Sequence, residues 1–134
     1  ALVSDTKITA YNERFGLSSL KVTSQTGEVP VAEVVVLAEG KEQKATATGS
    51  GPVDAAYKAI ESIVNTEASL ELYSVNAITS GTDSQGEVTV RLERGGRIVN
   101  GMGADTDIVI ASAKAYLHAA NLLLSSVEKA HPQV

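Results

Sequence analysis

Gly49-Ser50-Gly51-Pro52-Val53-Asp54-Ala55-Ala56-Tyr57-Lys58-Ala59-Ile60 closes an alternating run and opens a helical one. Gly101-Met102-Gly103 recurs in the same setting, ahead of the Ala-rich stretch that starts near Ile108. Each glycine pair follows three strand-like stretches and precedes a helix-like one. A period of roughly fifty residues seen only twice predicts an internally duplicated βββα domain, since a solenoid needs three or more repeats. Two related helix N-termini can face each other, or a second subunit, and enclose a small anion.

Working outward, Leu20, Val22 and Ser24 alternate with Lys21 and Thr23 as a first half-buried strand. Val31 to Ala38 is a nearly continuous apolar strand, and Glu39-Gly40-Lys41-Glu42 reads as a hairpin turn. Gln43 to Thr48 sets Ala45 and Ala47 on one face. Pro52 suits a first helical position, where its missing N–H is not needed. Ala56, Ile60, Ile63 and Val64 then recur at helical spacing. The second half repeats the plan. Tyr73, Val75 and Ala77 share a face of one strand, Val88, Val90 and Leu92 alternate in the next, and Gly95-Gly96 turns into a third. Asp105-Thr106-Asp107 supplies capping oxygens and negative charge to the last, longest helix. Short hairpin links make this an α+β fold of antiparallel sheets, each with a helix on one face. The units span residues 17–66 and 67–128, between a connecting segment at 1–16 from a missing upstream region and a tail at 129–134.

Composition narrows the function. The chain has 134 residues, with four Tyr, one Phe and no Trp, so the core must be built from Val, Ile, Leu and Ala. A formal charge of −5 and the lack of a basic stripe with interleaved aromatics argue against nucleic acid. Without cysteine there is no disulfide framework and no thiolate chemistry, which fits the cytoplasm. Lys114, His118 and Asn121 interrupt the most apolar stretch, which therefore reads as a buried helix and not a membrane span. The start, Ala1-Leu2-Val3-Ser4-Asp5, has neither a signal-peptide pattern nor an initiator Met, as in a fragment or processed product.

No nucleophile–base pair is evident. The two histidines, His118 and His131, form no metal spacing with each other or with a carboxylate. The turn at Gly49 to Gly51 lacks the ending of a phosphate-cradling loop and the strand–helix–strand setting of a dinucleotide fingerprint. What it offers is backbone N–H groups at a helix start, suited to a carboxylate or phosphate. Asp54, Asp105 and Asp107 stabilise their helix dipoles, or one of them offsets the ammonium of a zwitterionic ligand. Tyr73, near Ala77, Ser84 and Gly86, is a natural wall for an apolar side chain.

Three blocks in order carry a family resemblance: Gly49 through Ile60; Tyr73-Ser74-Val75-Asn76-Ala77; and Gly101-Met102-Gly103-Ala104-Asp105-Thr106-Asp107-Ile108-Val109 leading into Ala111-Ser112-Ala113-Lys114-Ala115. From about Gly16 to Leu124 the chain resembles the C-terminal regulatory domain of 2-isopropylmalate synthase, the LeuA allosteric domain. The resemblance implies a homodimer that binds L-leucine at the subunit interface for feedback inhibition. The parent would condense acetyl-CoA with 2-oxoisovalerate on a separate catalytic barrel that uses a divalent metal. The domain itself would carry no catalytic residue, no cofactor and no metal.

Carried over by motif position, the effector site comprises Gly49, Ser50, Gly51, Val53 and Asp54 at the first turn. Leu70, Tyr73 and Ala77 come from the next strand, Ser84 and Gly86 from beyond it, and Ala104, Asp105 and Thr106 from the second turn. Two alternatives stay open: an isoleucine-sensing domain of citramalate synthase, and a purely structural dimerisation module. One methylene is worth only about 1–3 kcal/mol, so pocket shape decides between leucine and isoleucine.

Overall fold

A computed structural model describes the backbone of residues 14–80 and 83–130, and the side chains of 14–76 and 84–124. Strands β1 (Phe15–Thr23), β2 (Val31–Ala38) and β3 (Lys41–Thr48) form one antiparallel sheet in chain order, followed by helix α1 (Pro52–Val64). Strands β4 (Ser69–Ser80), β5 (Asp83–Arg94) and β6 (Arg97–Asp105) form a second, followed by α2 (Ile108–Ala130). The duplicated βββα, α+β architecture expected from the pattern is therefore present.

The duplication extends to detail. The β2–β3 hairpin turns at Glu39-Gly40 and the β5–β6 hairpin at Gly95-Gly96, all four residues with positive φ. That is the requirement of the tight two-residue hairpin turn whose twist matches the strands. Each first strand carries one bulge. In β1, Leu17 faces Val36 and Ser19 faces Val35; in β4, Leu70 faces Leu92 and Leu72 faces Arg91. Val36 and Leu92 are equally placed from their hairpin turns, so both bulges sit at one structural position. The β1 bulge also explains why the alternation was legible only from Leu20: the extra residue shifts the pattern ahead of it. Of the expected connecting segment, residues 1–13 lie outside the described ones, and Phe15 and Gly16 belong to β1.

Counting from the hairpin turns, Ala45 and Ala47 correspond to Gly101 and Gly103. The second glycine pair is thus a strand feature and not a strand-to-helix turn, which corrects the equivalence suggested by the sequence. Its cause is close packing. A Cβ on Gly103 would lie 2.6 Å from the Ala115 nitrogen, and one on Gly101 would lie 2.8 Å from the Ala119 Cα. Only glycine lets α2 approach β6 this closely. The true counterpart of Gly49-Ser50-Gly51 is Asp105-Thr106-Asp107, and Lys58 answers to Lys114.

Each helix lies on its own sheet, and the helices pack on each other. Ala32, Val34 and Val36 of β2 and Val88, Val90 and Leu92 of β5 are fully buried beneath them. Tyr57 Oη donates to the Ser112 carbonyl (3.1 Å), and one turn on Tyr116 Oη donates to Glu61 (2.9 Å). The two helices therefore run side by side in the same direction. α2 also reaches β1, where the Asn121 side chain accepts from the Phe15 N–H (2.8 Å) and donates to the Phe15 carbonyl (3.0 Å). α2 covers β5 and β6 of its own sheet, leaving the helix side of β4 open, with Leu70, Tyr73 and Val75 exposed by 48%, 37% and 44%.

Candidate functional site

The turn into α1 is shaped by two glycines of different kinds. Gly49 is buried, and a Cβ there would lie 2.6 Å from Asp54 Oδ2 and 2.8 Å from the Ala55 Cα, so packing demands it. Gly51 is the N-cap, with extended backbone (φ −157°, ψ 176°) and nothing within 4 Å of a Cβ. Neither conformation nor space requires glycine at 51, and its bareness leaves the helix end approachable. Among the described residues, no side chain caps this end. Asp54 turns back instead: its carboxylate accepts from the Ser50 N–H at 2.9 Å and lies 3.2 Å from Lys58 Nζ. The Ser50 N–H, then the Lys58 ammonium, hold this carboxyl below the usual aspartate range.

The turn into α2 is closed differently. Asp107 Oδ1 accepts from the Val109 N–H at 2.8 Å and the Ile110 N–H at 3.4 Å, as expected of a capping aspartate. Asp105 accepts from the Asp107 N–H at 2.9 Å and pairs with Lys114 at 3.0 Å, and these hold its carboxyl low in that order. The N-terminus of α2 thus holds the protein's own carboxylate. Among the described residues, Asp107 fills N–H groups at the α2 end whereas no side chain does so at the α1 end, so the two turns are not equivalent anion sites.

Beside the α1 turn lies a groove of about 460 Å³ lined by Asp54, Tyr57, Lys58, Glu61, Leu70 and Tyr116. Two tyrosines, Tyr57 and Tyr116, line it, and Tyr73 packs against Tyr57. The Tyr57 ring stands 4.5 Å from that of Tyr116 and 6.2 Å, edge-on, from that of Tyr73. Tyr73 Oη and Ser112 Oγ share a hydrogen bond of 2.8 Å, joining β4 to α2. Burial pushes the Tyr57 and Tyr116 phenols up, so both stay neutral donors. The Glu61 carboxylate also accepts from Thr66 Oγ1 and the Glu67 N–H, both at 2.8 Å, fixing the chain between α1 and β4.

The site residues expected from the sequence fall into groups. Gly49, Ser50, Gly51, Val53 and Asp54 form the α1 turn, and Asp54 shares the groove with Leu70. Tyr73 joins them through Tyr57. Gly86 pairs with Ala77 on one side and Asp105 on the other, and the Ile108 side chain covers it. The side chain of Ala77 lies outside the described ones. Ser84 is exposed near the start of β5, and Thr106 is exposed beside Asp105. Ala104 faces Glu87, on the sheet surface opposite Tyr73 and Val75, so alternation turns its side chain away from the groove. Tyr57, Lys58, Glu61 and Tyr116 line the groove and were not expected there. The one sequence signal was Lys58 four residues after Asp54, a spacing that pairs charges on a helix face.

Among the described residues, no three His, Asp or Glu converge as metal ligands, and no helix is long and apolar enough to cross a membrane. Residues 1–124 match the LeuA allosteric (dimerisation) domain family. The whole chain is 64% identical to part of a 2-isopropylmalate synthase from Thiobacillus denitrificans and 63% identical to part of one from Nitrosococcus oceani, covering 26% of each. Over 123 residues, 92% of the chain, it is 65% identical to a 2-isopropylmalate synthase from Chromobacterium violaceum, covering 24% of that protein. The chain thus spans about a quarter of the length of these curated relatives.

Proposed function

The chain belongs to the LeuA allosteric (dimerisation) domain family, and from that membership we propose that it senses leucine for feedback inhibition of a 2-isopropylmalate synthase. It corresponds to the regulatory domain and carries none of the catalytic domain. In this reading the catalytic part condenses acetyl-CoA with 2-oxoisovalerate using a divalent metal, in the cytoplasm.

The observation that carries the reading is the groove that runs from Asp54, in the first turn of α1, to Leu70 on the exposed apolar face of β4. The unfilled N–H groups after Gly51 suit the effector carboxylate, with the helix dipole adding to the attraction. Asp54 suits the ammonium, and Leu70 and Tyr73 suit the isobutyl group. Burying that group contributes about 1.5–3 kcal/mol. A second copy of the chain covering β4 would enclose the effector, consistent with dimerisation in this family. Inhibition then requires that leucine bind one arrangement of domain and barrel more tightly than the other.

Isothermal titration of the chain with leucine, isoleucine and valine tests this. Saturable heat with leucine, and much less with isoleucine, is the expected result. Stronger isoleucine binding moves the chain to the citramalate type, and silence from a folded dimer leaves a dimerisation module. Gly51→Asp is the matching variant. Aspartate is a favoured N-cap, and position 51 has room for it, so the variant stays folded while its carboxylate takes the place of the effector's. Undiminished leucine binding by this variant would sink the assignment.

A further inference from the structure

The groove lined by Asp54, Lys58 and Leu70 has a counterpart in the other half of the molecule. Lys114, Leu117, His118 and Asn121 of α2 stand where Lys58, Glu61, Ser62 and Asn65 stand on α1. Leu17, just before the β1 bulge, stands where Leu70 stands before the β4 bulge. With Leu37, these residues line a second groove, also about 460 Å³. Each groove lies between the helix of one unit and the first strand of the other. Both are of a size usual for small-molecule sites.

The two grooves differ in charge. The first offers the carboxylates of Asp54 and Glu61 with one ammonium. In the second, Ile110 and Leu117 hold the corresponding positions, Lys114 keeps its place, and His118 is added. Lys114 commits one donor to Asp105 at 3.0 Å. His118 Nδ1 accepts from the Met102 N–H at 2.9 Å, which leaves the ring hydrogen on Nε2 free to donate. Asn121, tied to the Phe15 backbone by two hydrogen bonds, holds one wall fixed.

We infer that this second groove binds a short branched aliphatic carboxylate, an anion of about the size of leucine but without an ammonium group. Its carboxylate meets the Lys114 ammonium and the His118 Nε2–H, and its tail lies on Leu17, Leu37 and Leu117. An amino acid is disfavoured there, because the groove lining itself contains no carboxylate and the neighbouring Asp105 is already taken up by Lys114. With a net charge of −5 the chain has no general attraction for anions, so binding must be local. The inference does not depend on leucine being the effector at the first groove.

The test is titration of the chain with 4-methylpentanoate, the leucine skeleton without its amino group, with and without saturating leucine. The expected result is saturable binding that leucine does not displace. It weakens tenfold or more in Lys114→Met and is unchanged in Lys58→Met. Leu37→Asp, on the exposed rim of the groove, sets a negative charge beside the ligand and abolishes binding in a protein whose circular dichroism is unaltered. Absence of saturable binding, displacement by leucine, or binding that survives both Lys114→Met and Leu37→Asp would each overturn the inference.

Discussion

Gly101 meets Ala119 backbone to backbone: a Cβ on the glycine would stand 2.8 Å from the Ala119 Cα, and the strand at 103 is as close to Ala115. No flexible side chain is available to give way at either contact. Gly101→Ala and Gly103→Ala should each destabilise the chain by about 1–3 kcal/mol, the range for forced overpacking. Urea midpoints measured against Ala45→Gly provide the contrast. At that counterpart the change removes a methyl without creating a clash and costs about 0.5–1 kcal/mol in backbone freedom.

Asn121→Ala leaves the Phe15 N–H and carbonyl without their side-chain partner in a buried setting. A loss of about 1–3 kcal/mol per group is expected. Hydrogen exchange at the Phe15 amide should accelerate by more than exchange at the β5 amides, showing that β1 loosens first. Equal acceleration everywhere would mean that only global stability had changed.

Acid should expose the two aspartate clasps. Asp54 and Asp105 both titrate below the ordinary range in the folded chain, each held first by a backbone N–H and then by a lysine. A lowered folded pKa means stability that is complete above the unfolded value, about 3.9, and lost as pH falls through the folded one. Asp54→Asn and Asp105→Asn should therefore be less stable than the parent at neutral pH. The gap should close on acidification below that value. Denaturant midpoints across this range check it, and a gap independent of pH would contradict the assignment.

Alkali should act through Tyr57 and Tyr116. Burial raises both phenol pKa values, so the folded form resists their ionisation. Stability from this source is complete below the unfolded phenol value, about 10, and falls as pH rises toward the folded one. Absorbance at 295 nm should show these two rings ionising together with unfolding. Tyr57→Phe should remove one of them from that step.

Much of the fold was legible because two signals agreed: period-two apolar alternation, as in Val88, Val90 and Leu92, and helical spacing, as in Ala56, Ile60 and Val64. What misled was the glycine pairs, which look alike in sequence and serve different needs. Gly49 admits a helix end and Gly101 admits a helix side, while the counterparts of Gly101 and Gly103 are alanines, a likeness visible only through register. Of the residues bordering the groove, Asp54 and Leu70 belong to stretches that stand out in the sequence. Tyr57, Lys58 and Tyr116 were not legible as its lining, because a helix pattern assigns such residues to core or solvent and does not show which groove they border. Ala104, placed with the second turn by motif position, lies opposite Glu87, where the pleat turns its side chain to the other face of the sheet.

The bare strand at Gly101 and Gly103 has a mechanical meaning. Where side chains separate helix from sheet, as at Ala45 and Ala47, methyl groups form a layer across which small sliding is possible. Where backbone rests on backbone, a slip of one residue carries the helix into the next side chain. Sliding of α2 along β6 is therefore blocked sterically at Gly101 and Gly103.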